Sequence, residues 1–183
     1  NLSDDQKNEN DTAKKSVETF NCNPTADCEY GDKITLVKFG SINNTSSCSS
    51  NGYGDYTDQS TDLERGQSHE FIVNNEEDNH QLSVWIDYND DRVFDSNELI
   101  ITDQEYSQNG TFNVFIPNDA EIGEHLMRIR TNWWEPSSDP CAAFEYGETE
   151  DYTVVIITPF SVEELHKFEF EIFNESNSIR VVS

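Results

Sequence analysis

WIDYNDDRVFDSNELI, running from Trp85 to Ile100, crowds five acidic side chains into sixteen residues, directly behind the apolar alternation Leu82, Val84, Ile86. Alternation with a period of two marks a half-buried β-strand. A strand that packs a core therefore runs straight into a block of negative charge. Carboxylates this close repel one another, so either they face open water or a cation sits among them.

The spacing favours the cation. Laid against the calcium loop pattern D-x-[DN]-x-[DN]-G-x5-E, Asp87 takes position one, Asn89 three, Asp91 five and Asp95 nine, and Glu98 falls at twelve. Val93 offers a backbone carbonyl at position seven, and Phe94 at eight is the apolar residue expected to tie the loop to a neighbouring strand. Four carboxylates, one amide and one carbonyl suit calcium, which takes six to eight oxygens at about 2.3–2.6 Å. One position departs: Arg92 stands where glycine makes the sharp turn, and a left-handed backbone there costs an L-residue on the order of 1 kcal/mol. The competing reading is a solvated acidic turn. Because a strand enters the loop, a helix–loop–helix sensor is excluded, and a structural calcium that pins the loop is the expected role.

Working outward, apolar residues gather in short runs: ITLVKF, EFIV, QLSVWI, TFNVFI and DYTVVII. Hydrophobic residues make up only 34% of the 183, yet aromatics reach 11%, which disordered chains rarely do. From about Asn21 to Ile157 the pattern is strand, turn, strand, with no strong helical period. Ile34, Leu36 and the stem of Lys38 are read on one face of a strand, with Val37 and Phe39 on the other. Asn43–Asp55 reads as a loop, and Asn75–His80 as the turn of a hairpin between Glu70–Asn74 and Gln81–Asp87. Thr111–Ile116 ends at Pro117. His125, Met127 and Ile129 alternate with Leu126, Arg128 and Arg130, and Tyr152–Ile157 reads as a fully apolar interior strand. The expected fold is an all-β antiparallel sandwich, jelly-roll or Ig-like, with long loops over residues 21–158; a barrel of similar strand content is the alternative. Residues 1–20 read as a polar tail or linker, with a frayed helix near Thr12–Phe20. Residues 159–183 read as a connector and one hairpin, which needs a partner to be stable in water.

Eleven basic residues against 37 acidic ones give a formal charge of −26. Nucleic-acid binding and attachment to anionic membranes both need a basic face, and are excluded. Bound cations would relieve the self-repulsion of such a chain. The four cysteines, Cys22, Cys28, Cys48 and Cys141, form no CxxC pair and no zinc-type cluster with histidine, so two disulfides are expected, with three pairings open. Disulfides point outside the cytoplasm. No stretch reads as a signal peptide or a bilayer span, so the chain reads as a mature form or a fragment of one, without membrane insertion. Asn43-Asn44-Thr45 and Asn109-Gly110-Thr111 are N-x-S/T triplets in a chain rich in Asn.

Three stretches together, CAAFEYGETEDYTVVI (141–156), VWIDYNDDRVFDSNE (84–98) and FGSINNTSSCSSNGYGDYTDQST (39–61), resemble the GEVED domain family. The family is named for the tract that here reads Gly147-Glu148-Thr149-Glu150-Asp151. The blocks SINN, GYGDYTD, VWIDYNDD and YGETEDYTV stand in the family's order, and HLMRIRTNWWEPSSDPC is similar to its RMR strand and proline–cysteine segment. The resemblance covers about residues 21–157. It implies a β-sandwich module of secreted or cell-surface proteins of Bacteroidetes-type bacteria. Such modules often trail a peptidase or other catalytic domain and precede a sorting domain for type nine secretion. The hairpin after Phe160 resembles the opening of a sorting domain, with Phe173-Asn174-Glu175 in place of the usual Pro-Asn-Pro turn. Members with two cysteines match this chain at Cys22 and Cys141, which implies the pairs Cys22–Cys141 and Cys28–Cys48.

Glu148, Glu150 and Asp151 could complete a cation site or act as acid and base. A structural role is favoured, as carboxylates holding backbone N–H groups or an arginine such as Arg128 or Arg130, and Asp55 is read likewise. Alternation sends Glu148 and Glu150 to one face and Asp151 to the other. Trp133, Trp134, Tyr53 and Tyr56 fall in expected loops, where they would stack on sugar rings or pack over a disulfide. His69, His80, His125 and His166 are scattered, with no HExxH and no nucleophile elbow, so no catalytic residue is assigned. The leading expectation is a non-catalytic, calcium-stabilised module of a secreted or cell-surface protein, acting in adhesion, assembly or as an accessory domain, with a glycan or another cell-surface protein as partner. The second is a carbohydrate-binding module appended to a secreted hydrolase or peptidase. The third is a small hydrolase working through acidic residues.

Overall fold

The computed structural model describes Cys22 and residues 24–159. The tail expected over residues 1–20 and the hairpin expected after Phe160 lie outside them. Ten strands follow in chain order: β1 (Thr25–Asp27), β2 (Ile34–Phe39), β3 (Ile42–Asn44), β4 (Tyr53–Glu64), β5 (Ser68–Asn75), β6 (His80–Ile86), β7 (Leu99–Tyr106), β8 (Asn109–Phe115), β9 (Gly123–Trp133) and β10 (Ala143–Ile157). One sheet has the order β1-β10-β9-β6-β7, with β4 also paired to β10, and the other has β3-β2-β5-β8. The two pack as a sandwich. Ile34, Val37, Phe39, Phe71 and Val73 of one sheet meet Leu82, Val84, Ile86, Met127, Ile129, Tyr152, Val154 and Ile156 of the other, all of them buried.

Several expectations are corrected. Asn75–His80 is not a hairpin turn: β5 pairs with β2 and β8, whereas β6 pairs with β7 and β9, so the chain crosses from one sheet to the other here. Local alternation cannot distinguish a turn within a sheet from a step between sheets. In β2 the register slips between Ile34 and Leu36, which brings Ile34 to the core face with Val37 and Phe39 and leaves Leu36 half-buried and Lys38 exposed. The pairing is antiparallel except along one side of β10, where β1 and β4 run parallel to it. Parallel neighbours need a long crossover, and the chain between β4 and β10 supplies it. Tyr152–Ile157 is interior by its backbone, flanked by β4 and β9, but its side chains alternate between buried and half-buried. Asn43–Asp55 is interrupted by the end of β3, a 3-10 turn at Ser50–Gly52 and the start of β4.

The outer face of β9 and β10 is closed as well. Arg128 and Arg130 point away from the core, yet both are buried, because residues 134–142 lie across them. Cys22 is bonded to Cys141 and Cys28 to Cys48, at sequence separations of 119 and 20. Loop closure of that length is worth about 5 and about 3 kcal/mol respectively in the chain-entropy account. Gly147 opens the inner part of β10 with φ +131°, and a Cβ built there would lie 2.1 Å from the carbonyl oxygen of Thr131. The obstacle is backbone of the paired strand, which cannot swing away. Gly147→Ala is expected to cost roughly 2–4 kcal/mol in a urea melt, through backbone strain and overpacking together; an unchanged midpoint would contradict this packing.

Candidate functional site

The acidic loop leaves β6 at Asp87 and is folded by its own side chains. The Asp91 N–H donates to Asn89 Oδ1 at 2.9 Å, Arg92 N–H to Asp87 Oδ2 at 2.9 Å, and Val93 N–H to Asp91 Oδ1 at 2.8 Å. At the far end Asp95 N–H donates to Glu98 Oε2 at 2.9 Å. Arg92 adopts φ +65°, the left-handed turn that its position in the calcium pattern requires. Phe94 is buried, its ring 6.0 Å from that of Trp85 and 5.0 Å from the Arg128 guanidinium, and so fastens the loop to the outer face of β6 and β9.

Asp87 and Glu98 differ from their neighbours. They are 2% and 0% exposed, whereas Asn89, Asp91, Val93 and Asp95 face outward. Asp87 Oδ1 and Glu98 Oε1 are buried with no hydrogen-bond partner. Burial raises both carboxyls above their usual range; the charges of Asp90 and Asp91 add to the shift of Asp87, and those of Asp87 and Asp91 to the shift of Glu98. Leaving a carboxylate oxygen dry and unpaired is costly. Among the described residues no group of three or more His, Cys, Asp or Glu side chains is drawn together as a ready metal cluster. The loop instead presents two dry carboxylates beside an amide, further acidic side chains and carbonyls.

The tract at the other end of the domain is occupied by structural bonds. Glu148, fully buried, accepts from Ile34 N–H at 2.8 Å through one oxygen and from Ser49 N–H at 2.7 Å through the other. It thereby ties β10 to β2 across the sandwich. Asp151, on the opposite face, takes the Arg128 guanidinium in two parallel bonds of 2.8 and 2.7 Å and also accepts from the Tyr53 hydroxyl at 2.7 Å. Arg128 further donates to Pro140 O at 3.0 Å and contacts Cys22 Sγ at 2.8 Å, so the ion pair holds the disulfide and the covering segment. Arg130 lies 3.8 Å above the Phe144 ring and donates to Thr149 Oγ1 and to the carbonyls of Asp139 and Ala142. Asp55 accepts from both the N–H and the hydroxyl of Thr57.

Residues 81–155, from β6 through this tract, match the family model of the GEVED domain. This part of the chain is a GEVED domain. A search of curated proteins finds no match.

Tyr53, Tyr56, Trp133 and Trp134 do not form one surface. Tyr53 and Tyr56 lie in β4 rather than a loop: Tyr53 is bound to Asp151, and Tyr56 stacks on Tyr152 at 5.5 Å, against the core. Trp133 ends β9 and is 41% exposed, and Trp134 follows it at 59%. Trp133 meets Trp134 at 83° and Tyr146 at 86°, with ring centres 6.1 and 5.9 Å apart. Beside Trp133 opens a cleft of about 650 Å3, walled by Trp133, Tyr146 and Tyr30 and by the acidic residues Asp32, Glu77 and Asp78. Tyr30, Asp32 and Tyr146 were invisible as site residues in the sequence, because they come from two distant segments and meet Glu77, Asp78 and Trp133 from two others.

Glu150 of the GEVED tract is buried among hydroxyls. Ser46 Oγ lies 2.7 Å from Glu150 Oε1 and 2.9 Å from Ile34 O, and the Tyr152 hydroxyl donates to Glu150 Oε2 at 2.8 Å. A serine hydroxyl has one proton and cannot donate to both acceptors. The arrangement is satisfied if Glu150 carries a proton and donates to Ser46, which then donates to Ile34 O. Burial pushes this carboxyl up to about 8, in agreement. Its folded value thus lies above the unfolded value of 4.5, so its contribution is full below that value and is lost as pH rises towards 8. Stability should therefore fall over this range by up to about 1.4 kcal/mol per pH unit from this one group. Glu150→Gln, which keeps a donor and an acceptor, should remove that slope in denaturant melts between pH 5 and 8. A slope equal to that of the parent would refute the assignment.

Proposed function

We propose that the chain is a non-catalytic, calcium-stabilised β-sandwich module of a secreted or cell-surface bacterial protein, acting in adhesion, assembly or as an accessory domain. The observation that carries this reading is the pair of buried, unpartnered oxygens of Asp87 and Glu98 at the two ends of one loop. A divalent cation is the simplest group that satisfies both without protonating either. Calcium fits the donors best, since it accepts carboxylate, amide and carbonyl oxygens together with water and tolerates irregular geometry. Asp87 and Glu98 would be its anchors, with Asn89, Asp91, the Val93 carbonyl and Asp95 completing the shell. When bound, calcium supplies charge neutralisation and rigidity. Two disulfides support a location in an oxidising compartment. The non-catalytic part of the reading is supported by the tract carboxyls, which are committed to backbone groups, hydroxyls and an arginine. A carbohydrate-binding module appended to a secreted hydrolase or peptidase is the second reading, and it draws on the exposed Trp133 and Trp134.

Adding calcium to EDTA-treated protein should raise the melting temperature by roughly 5–15 °C once the ion exceeds its Kd a hundredfold. Asp87→Asn and Glu98→Gln should each abolish that response while leaving the β-sheet circular dichroism intact. Arg92→Gly, which relieves the left-handed turn, should strengthen the bound state by on the order of 1 kcal/mol. A melting curve indifferent to both EDTA and calcium sinks the calcium reading.

A further inference from the structure

We propose that the cleft beside Trp133 is a recognition site for a lysine or arginine side chain presented by a partner protein. The inference is independent of the calcium loop, which lies on other residues. It rests first on shape. Trp133 and Tyr146 stand at 86° to one another, with ring centres 5.9 Å apart, so they form two walls of a box rather than a flat platform. Tyr30, 77% exposed, stands at the same opening. Aromatic walls set at right angles offer several electron-rich surfaces to one alkylammonium or guanidinium group. A sugar ring instead lies along a single open face.

Charge points the same way. Asp32, Glu77 and Asp78 line the cleft, and no basic residue does. Lys33, next in sequence to Asp32, is taken by Glu76 at 2.7 Å. The carboxyl side chain of Asp32 is only 8% exposed, yet among the described residues it accepts no hydrogen bond. His80 Nε2 lies 3.3 Å from it. That contact is no ion pair: His80 is fully buried, and burial holds its imidazole down to about 4 against the opposing pull of the Glu77 backbone. A nearly buried carboxyl group therefore faces the cavity with no cationic side chain among the described residues beside it, at the foot of an aromatic box.

The walls are held in place before any ligand arrives. Glu77 N–H donates to Gly31 O at 3.1 Å, and Trp134 N–H donates to Asn79 O at 3.1 Å. Gly31 has φ +103°, and a Cβ there would lie 2.3 Å from Glu77 Cγ, so the close approach of the two loops depends on glycine. Trp134 itself is held at φ +61°, a conformation uncommon for a bulky side chain. About 650 Å3 is room for a long cationic side chain and part of the backbone that carries it.

The test uses the full chain and three capped pentapeptides, containing two lysines, two arginines or two glutamines, followed by tryptophan fluorescence and the NMR indole signal of Trp133. The basic peptides should shift that signal saturably, and the glutamine peptide should not. Their affinity should fall as NaCl is raised through 0.1 M, where the screening length is about 10 Å. Asp32→Asn and Trp133→Ala should each weaken binding by roughly tenfold, whereas Ile122→Ala, an exposed apolar change outside the cleft, should not. Because Asp32 is nearly buried, the exposed pair Glu77→Gln/Asp78→Asn provides a second reading and should weaken binding severalfold with the melting temperature unchanged. The proposal is overturned if the basic and glutamine peptides behave alike, if the carboxylate variants bind as the parent does, or if a neutral oligosaccharide alone moves the Trp133 signal.

Discussion

Glu148 is a fully buried carboxylate, and the sandwich closes around it. One oxygen receives the Ile34 N–H of the opposite sheet and the other receives Ser49 N–H from the loop ahead of β4. Two bonds to backbone N–H groups offset the cost of holding such a group out of water. Losing the carboxylate would leave the buried Ile34 N–H and the half-buried Ser49 N–H without this acceptor. On the other face of the same strand, Asp151 does the corresponding work by pairing with Arg128. A chain with 37 acidic residues thus places a few of them where a hydrophobic residue would ordinarily sit, each with a specific partner. Buried pairs of this kind specify a geometry more surely than they add stability.

The rest of the outer face follows from that pairing. Arg128 and Arg130 gather the carbonyls of Asp139, Pro140 and Ala142, and the segment they hold brings Cys141 to Cys22 and covers the sheet. Phe94 reaches the same face from the acidic loop, over Arg128. The loop and the tract are far apart in sequence, yet they lean on one guanidinium. Order in the loop therefore bears on the order of the β9–β10 strand pair.

The two candidate binding regions illustrate two ways of handling negative charge. In the loop, two carboxylates are desolvated by the fold and each keeps one oxygen without a hydrogen-bond partner, which the proposed calcium would satisfy. In the cleft, acidic residues from separate segments surround aromatic rings and leave room for a cation from outside. In both places the polypeptide is held in left-handed turns, at Asp90 and Arg92 in the first and at Asn79 and Trp134 in the second. Strain of this kind is kept only where surrounding bonds over-determine it.

Much was legible in the residues themselves. Alternating apolar runs identify the strands and the all-β class, and the spacing from Asp87 to Glu98 identifies a loop with one backbone requirement at Arg92, which the structure meets. Alternation also separates Asp151 from Glu148 and Glu150, since opposite faces of a strand depend on nothing beyond neighbouring residues. Other features depend on long-range pairing. The crossing at Asn75–His80, the parallel course of β4 and β10, and the slip in β2 depend on which strands become neighbours, and local patterns are the same either way. The separation of Tyr53 and Tyr56 from Trp133, and the meeting of Tyr30, Asp32 and Tyr146, are likewise tertiary. Short-range chemistry is written in short-range spacing, whereas a cleft exists only once distant segments have been packed side by side.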